Sequence, residues 1–316
     1  MTSLQQAIKI ALLQSLQLKK NETCLVVTDT LQSKIAKKFY KTASSLCRKA
    51  VYVEMTPRKR SGQEPPKKVA ELLKQCDVAL LITSKSLTHT KARRAATKRG
   101  VRMASMPGIT EEMIKRAIPI DYYALQERNR RLLKALQGHK KIEITTRLGT
   151  KLAIGFEDRI WGGARGGFIM KKGKYGNLPE GEVYAAPQDK TANGVWFVDV
   201  IPGVGKVKNP IKITVKDGVA VNMTGKYANK IKKIFKGLPK KAFVLAELGI
   251  GTNPKAKITG NILEDEKVLG TAHIALGNNM SMGGKNNVSI HLDLVFTKPT
   301  IVVDGKTIME EGKLKV

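Results

Sequence analysis

The chain changes rhythm once, and that change constrains the fold more than any single motif does. Up to about residue 137, apolar runs alternate with helical patterns; beyond Lys140, short strands follow one another across glycine turns. Residues 23–29 (TCLVVTD), 50–55 (AVYVEM) and 77–83 (DVALLIT) read as buried strands, with a shorter one at VRMASM. Helical patterns follow over SKIAKKFYKTASSLCRK, PPKKVAELLKQ and HTKARRAATKRG. Apolar strand and amphipathic helix in repeated alternation specify a parallel sheet covered by helices. The expected N-terminal domain is therefore α/β with a parallel sheet, over residues 1–137, closing with a linking helix at about 119–137 that Gly138 ends.

The remainder, residues 138–316, reads as an α+β, strand-rich domain. KIEITTRLGTKLAIGF predicts two paired strands with a turn around Leu148-Gly149-Thr150. GVWFVDV, IKITVKDGVAVNM, NVSIHLDLVF and TIVVDGKTIM are further short strands. Helices are expected only at about 224–236 and around 261–270.

Several function classes drop out early. The turn after the first strand, TDTLQSKIAKK, has no glycine, whereas a dinucleotide or P-loop site needs glycine for the backbone to approach phosphate. Cys24, Cys47 and Cys76 are odd in number and form no C-x-x-C pair, which argues against a disulfide framework or cysteine zinc site and for a reducing, cytoplasmic setting. No run approaches the roughly 20 apolar residues of a membrane span, and the first 20 residues read as an amphipathic helix rather than an export signal. Lys+Arg outnumber Asp+Glu by 57 to 26, giving +31, a field that attracts polyanions and makes non-specific nucleic-acid binding a candidate partner interaction. The basic residues are scattered doublets, such as Lys171-Lys172 and Lys232-Lys233, without interleaved aromatics; a solvated surface explains them more simply.

In a chain so poor in acids, the carboxylates and histidines of the second half stand out. In SIHLDLVF, strand alternation puts Ser289, His291, Asp293 and Val295 on one face and Ile290, Leu292, Leu294 and Phe296 on a core face. His291 and Asp293 can then reach one cation. Glu182 and Glu247 each sit at the end or edge of an apolar run, where a charge is costly unless paired or metal-bound. Glu180 reads as a solvated neighbour. Glu264, Asp265 and Glu266 precede His273, and at least two of the three fit the solvated start of a helix. The loop from Trp161 to Gly167 is either a lid or backbone-donor site or a wide solvent-exposed turn, with Arg165 its one candidate for binding a substrate carboxylate.

The stretch GTNPKAKITGNILEDEKVLGTAHIALGNN, followed by IHLDLV, resembles the C-terminal core of the thermophilic-type metallo-aminopeptidases (aminopeptidase T, aminopeptidase S and PepS). That resemblance implies a dinuclear centre of two divalent ions (Zn, Co or Mn) held by Glu182, Glu247, His273, His291 and Asp293. It implies a hydrolase acting on peptide substrates from their free N-terminus, assembled as a homodimer. Glu266 is a candidate general base or a group that orients the ligands. The chain departs from the family by placing Met280 where a tyrosine is common and by separating His273 from His291 by only seventeen residues. A related branch resembles the iron(II)-dependent 2,5-dihydroxypyridine dioxygenases, in which His273, His291 and Asp293 would form a facial triad around Fe(II). A non-catalytic polyanion-binding protein of the same fold is the third reading.

Overall fold

A computed structural model describes residues 2–316. The chain divides into two compact units, one running to Tyr123 and including Arg165–Glu180, the other formed by Ala124–Ala164 and Gly181–Val316.

In the first unit Thr23–Asp29 (β1), Lys49–Met55 (β2), Val78–Ile82 (β3) and Arg102–Ser105 (β4) form a sheet. The chain next supplies the second unit's hairpin of Lys141–Thr145 (β5) and Lys151–Gly155 (β6), then Tyr175–Asn177 (β7) in the first. The order β2-β1-β3-β4-β7 is parallel throughout. Every residue of β3 is buried, as expected of a central parallel strand with both faces covered. Thr90 and Thr110 cap the helices Lys91–Lys98 and Glu111–Ala117 by accepting from the amides of Arg93 and Met113.

This unit contains one strongly held ion pair. The Arg102 guanidinium donates to both oxygens of Glu22, at 2.9 and 2.7 Å, and to the carbonyls of Leu16 and Gln17. Burial alone would raise the Glu22 carboxyl, but hydrogen bonds and charge from Arg102 outweigh it and hold the group below its ordinary value. A depressed carboxylate contributes stability above its unfolded pKa and loses it as pH falls through the folded value. Arg102→Leu should cost about 3–5 kcal/mol in denaturant titrations at neutral pH, because it strands a poorly exposed carboxylate. The gap to the wild type should narrow in acid; an unchanged gap would show that the pair contributes little.

The second unit continues with Glu182–Ala185 (β8), Asn193–Ile201 (β9), Gly205–Lys216 (β10) and Val219–Thr224 (β11). Leu245–Gly251 (β12), Thr271–Gly277 (β13) and His291–Thr297 (β14) follow. Thr300–Val303 (β15), Lys306–Glu310 (β16) and Lys313–Leu314 (β17) complete it. The order is β17-β16-β15-β5-β6-β9-β14-β13-β12-β8, antiparallel, with β10 and β11 branching from β9. β5 and β6 alternate buried and outward residues around the expected turn, where Gly149 takes φ 104°. The core draws on Trp196, Leu248, Ile250, Ile274, Leu294 and Phe296. A parallel α/β unit with a large antiparallel unit is thus the two-part mixed architecture.

Helices in the second unit are shorter than the sequence suggests. The segment 224–236 is helical over Ala228–Ile234, and around 261–270 only Ile262–Asp265 makes a turn of helix. Backbone bonds from Asn253 N to Lys267 O and from Leu269 N to Asn253 O hold the following residues in a bridge instead. The three cysteines are free thiols, and no helix among the described residues is long and apolar enough to cross a membrane.

Candidate metal centre

The site is built on four neighbouring strands, β14-β13-β12-β8. Register places Glu247 opposite Ala275 and Ala275 opposite Asp293; Gly249 opposes His273, Gly277 opposes His291 and Gly251 opposes Glu182. Each ionisable side chain therefore faces an alanine or glycine across the strand, leaving room for the donors to converge above the sheet. Alternation sends Leu248, Ile250, Ile274, Leu294 and Phe296 to the opposite, apolar face, so the core that orders the strands also aims the polar groups. A register shift between Leu245 and Glu247 marks a bulge where Glu247 enters.

The structure brings together all five residues named as metal ligands, and Glu266 with them. Three groups have donor atoms within 4.8 Å of one another: Glu182, Glu247 and His273; Glu247, His291 and Asp293; and Glu266, His273 and Asp293. The two imidazoles fall in different groups, linked through Glu247 and Asp293. His291 Nε2 is 3.1 Å from Glu247 and 3.2 Å from Asp293. Donors held at ~2.1 Å from one ion and at right angles would lie ~3 Å apart, so these spacings suit a shared cation.

Ring orientation is informative. His291 Nδ1 lies 2.7 Å from the carbonyl of Asn278, which fixes Nδ1–H as the donor and leaves the Nε2 lone pair of a neutral ring toward two carboxylates. Lone pairs facing carboxylates are stable only with a positive charge between them. His273 is 1% exposed, and neither ring nitrogen makes a hydrogen bond. Its Nε2 lies 3.5 Å from Glu182 and 3.7 Å from Glu247, electrostatic contacts rather than good hydrogen bonds.

The electrostatics point the same way. Burial would lower both imidazoles, yet the surrounding carboxylates push His273 up to about 9 and His291 well above its ordinary value. Burial would raise Glu247 and Asp293, but the histidines hold Glu247 down at about 2 and Asp293 below the usual carboxylate range. Without a metal the cluster draws in protons to supply the positive charge it lacks. Glu266 differs: burial, reinforced by Asp293 and Glu182 and opposed by Lys267, lifts it to about 8.

Other expectations need correction. Glu264 and Asp265 are buried, not solvated. Glu264 accepts from Lys257 N, and Asp265 accepts from the amides of Thr259 and Gly260, so both tie down the preceding loop. Glu180 is half-buried in the first unit. Part of the Trp161–Gly167 loop is neither lid nor open turn, for Gly162 pairs with Tyr184 of β8 and Trp161 packs on Phe156. Arg165 donates to the Tyr175 carbonyl within the first unit. Met280 is exposed on a short 3-10 turn, Met280–Met282.

Sequence reasoning missed three positioning residues. Asn129 is fully buried, donates to the carbonyls of Gly163 and Glu182 and accepts from Thr252, fixing the start of β8. Lys267, also fully buried, pairs with Glu182 and Glu266. Gly249 is the third: a methyl group there would lie 2.1 Å from the His273 ring. Gly249→Ala should therefore displace the imidazole and lower metal affinity by at least ~10-fold with the fold intact, as read by elemental analysis and circular dichroism. Wild-type affinity in that variant would contradict the assigned geometry.

Fold and cluster define the class: an α/β unit with a strand-rich unit carrying buried and half-buried histidines and carboxylates that can hold a divalent metal. The sequence profile of the 2,5-dihydroxypyridine 5,6-dioxygenase (NicX) family matches residues 3–316, so the chain belongs to that family. A solved 2,5-dihydroxypyridine dioxygenase from Pseudomonas putida KT2440 is similar with a TM-score of 0.83 and 16% identity, over 99% of this chain and 98% of that one. Wild-type AmpT from Thermus thermophilus is similar with a TM-score of 0.70 and 18% identity, over 98% and 99%. At such identities the two structures establish shared fold alone. No curated protein matches the sequence. The hydrolase expectation is overturned: the profile spanning the chain is that of a dioxygenase, so the aminopeptidase and protease assignments are withdrawn. The resemblance located the right fold and the wrong branch of it.

Proposed function

We propose that the chain is an iron(II)-dependent dioxygenase that opens a hydroxylated pyridine ring, with 2,5-dihydroxypyridine as the substrate to test. Family membership supplies the reaction class. The observation that carries the reading is the buried His273 ring, neither nitrogen hydrogen-bonded, beside carboxylates that converge with His291. Histidine with carboxylate is the donor chemistry of non-haem iron(II) oxygenases. His291, Asp293 and Glu247 converge on one position, and His273, which shares a donor group with Asp293, would complete the set around the ion. A ferrous ion bound there supplies the electron-transfer chemistry by which dioxygen reacts with an electron-rich ring, both oxygen atoms remaining in the opened product.

The chain's own residues do the rest. The Asn278 carbonyl holds the His291 ring in one tautomer, and Asn129 holds the strand that presents Glu182. Glu266, in one group with His273 and Asp293, is the carboxyl able to exchange a proton with a ring hydroxyl near neutral pH. Protein stripped by a chelator and reloaded anaerobically with Fe(II) should consume one dioxygen per ring lost, followed by oxygen electrode and ring absorbance. Chelated protein should be inactive, and unblocked peptides should remain uncleaved. Absence of oxygen uptake with hydroxylated pyridines, or peptide cleavage by the loaded protein, would refute the assignment.

A further inference from the structure

We propose that the Lys267 ammonium takes the place of a second cation and so limits the centre to one divalent ion. The inference deepens the reading above and rests on it. The three donor groups contain four carboxylates and two imidazoles, enough for two ions with Glu247 or Asp293 shared between them. Yet Lys267 is 0% exposed, and its Nζ lies 2.5 Å from Glu182 Oε1 and 2.7 Å from Glu266 Oε1.

Glu182 and Glu266 each belong to one of the groups other than Glu247–His291–Asp293. The ammonium holds one oxygen of each carboxylate, so a dication bound through their other oxygens would sit close beside it, and like charges repel strongly in a poorly solvated interior; His273 stays within reach of Asp293. A lysine is seldom fully buried unless its charge is matched, and here the matching partners are would-be metal ligands. The placement is built in locally. The Lys267 carbonyl accepts from Asn253 N and its amide donates to Glu264 O, so the backbone is held on both sides of the side chain. The retained glutamates thus need not signify a second metal: two of them partner a lysine.

The test counts ions in the full-length protein after chelation, reloading with Fe(II) or Mn(II) and desalting, using elemental analysis and calorimetric Mn(II) titration. Wild type and Lys267→Arg should hold one ion per chain; Lys267→Ala and Lys267→Met should rise to two. Two ions in the wild type, or a single ion in both folded neutral variants, would overturn the proposal. Anomalous diffraction from wild-type crystals soaked in Mn(II) gives the same answer without a variant. One peak beside His291 is expected, and a peak between Glu182 and Glu266 would defeat it. A wild-type chain that holds no ion would overturn the iron-dependent reading itself.

Discussion

His273→Ala should yield a folded protein that neither retains iron nor opens a ring. The imidazole is buried, and both its nitrogens lack hydrogen-bond partners, so its removal deletes a donor while breaking no hydrogen bond that holds β13. Loss of a residue that merely orients a ligand costs 10–100-fold in metal affinity, so loss of the ligand itself should exceed about 100-fold. Ring-opening activity should fall at least as far at limiting iron. Iron per chain, oxygen uptake and circular dichroism give the three readouts. A variant that keeps wild-type iron and activity would remove His273 from the centre.

Trp196→Ala should destabilise the second unit strongly by opening a cavity in its core. The indole is fully buried in the second unit's core and meets Phe296 edge to face, with centroids 6.1 Å apart. Its Nε1 has no hydrogen-bond partner, so the loss is one of packing. Truncating a buried tryptophan costs about 3–5 kcal/mol, and for a unit of this size that lowers the melting temperature by about 10 °C. Phe296 lies on the strand that carries His291 and Asp293, so the cavity should also loosen metal binding. A calorimetric scan with and without iron separates the two effects. A shift of less than a few degrees would mean that the core closes around the gap.

Much of this architecture was legible because burial leaves a pattern. The run that became β3 is apolar throughout and that of β1 is apolar from Cys24 to Val27, as suits doubly covered parallel strands, whereas β5 alternates. β7 was not legible: Tyr175–Asn177 is three residues long, contains glycine and has no apolar run, and only pairing with β4 makes it a strand. In the site, His291 and Asp293 could be read from strand alternation, and Glu182 and Glu247 from the cost of a charge beside apolar residues. Lys267 could not, because in LEDEKVLG a lysine after three acids looks like ordinary solvated charge; its partner Glu182 is far away in sequence. Gly249 was hidden too, since the demand for a missing side chain comes from an opposing strand. The branch of the fold was the least visible property, because the donor residues suit one ion or two.

The end of the long antiparallel sheet has a consequence for how the molecule behaves at high concentration. β17 is only two residues long, and the exposed Lys313 and Lys315 flank Leu314 there. A terminal strand offers unpaired amides and carbonyls to any copy that meets it, which is the usual seed of fibrous aggregation. Here an approaching copy would have to bring its own lysines alongside these, while +31 on the whole chain repels it from further away. Part of the positive charge thus acts as colloidal protection, and added salt should weaken it.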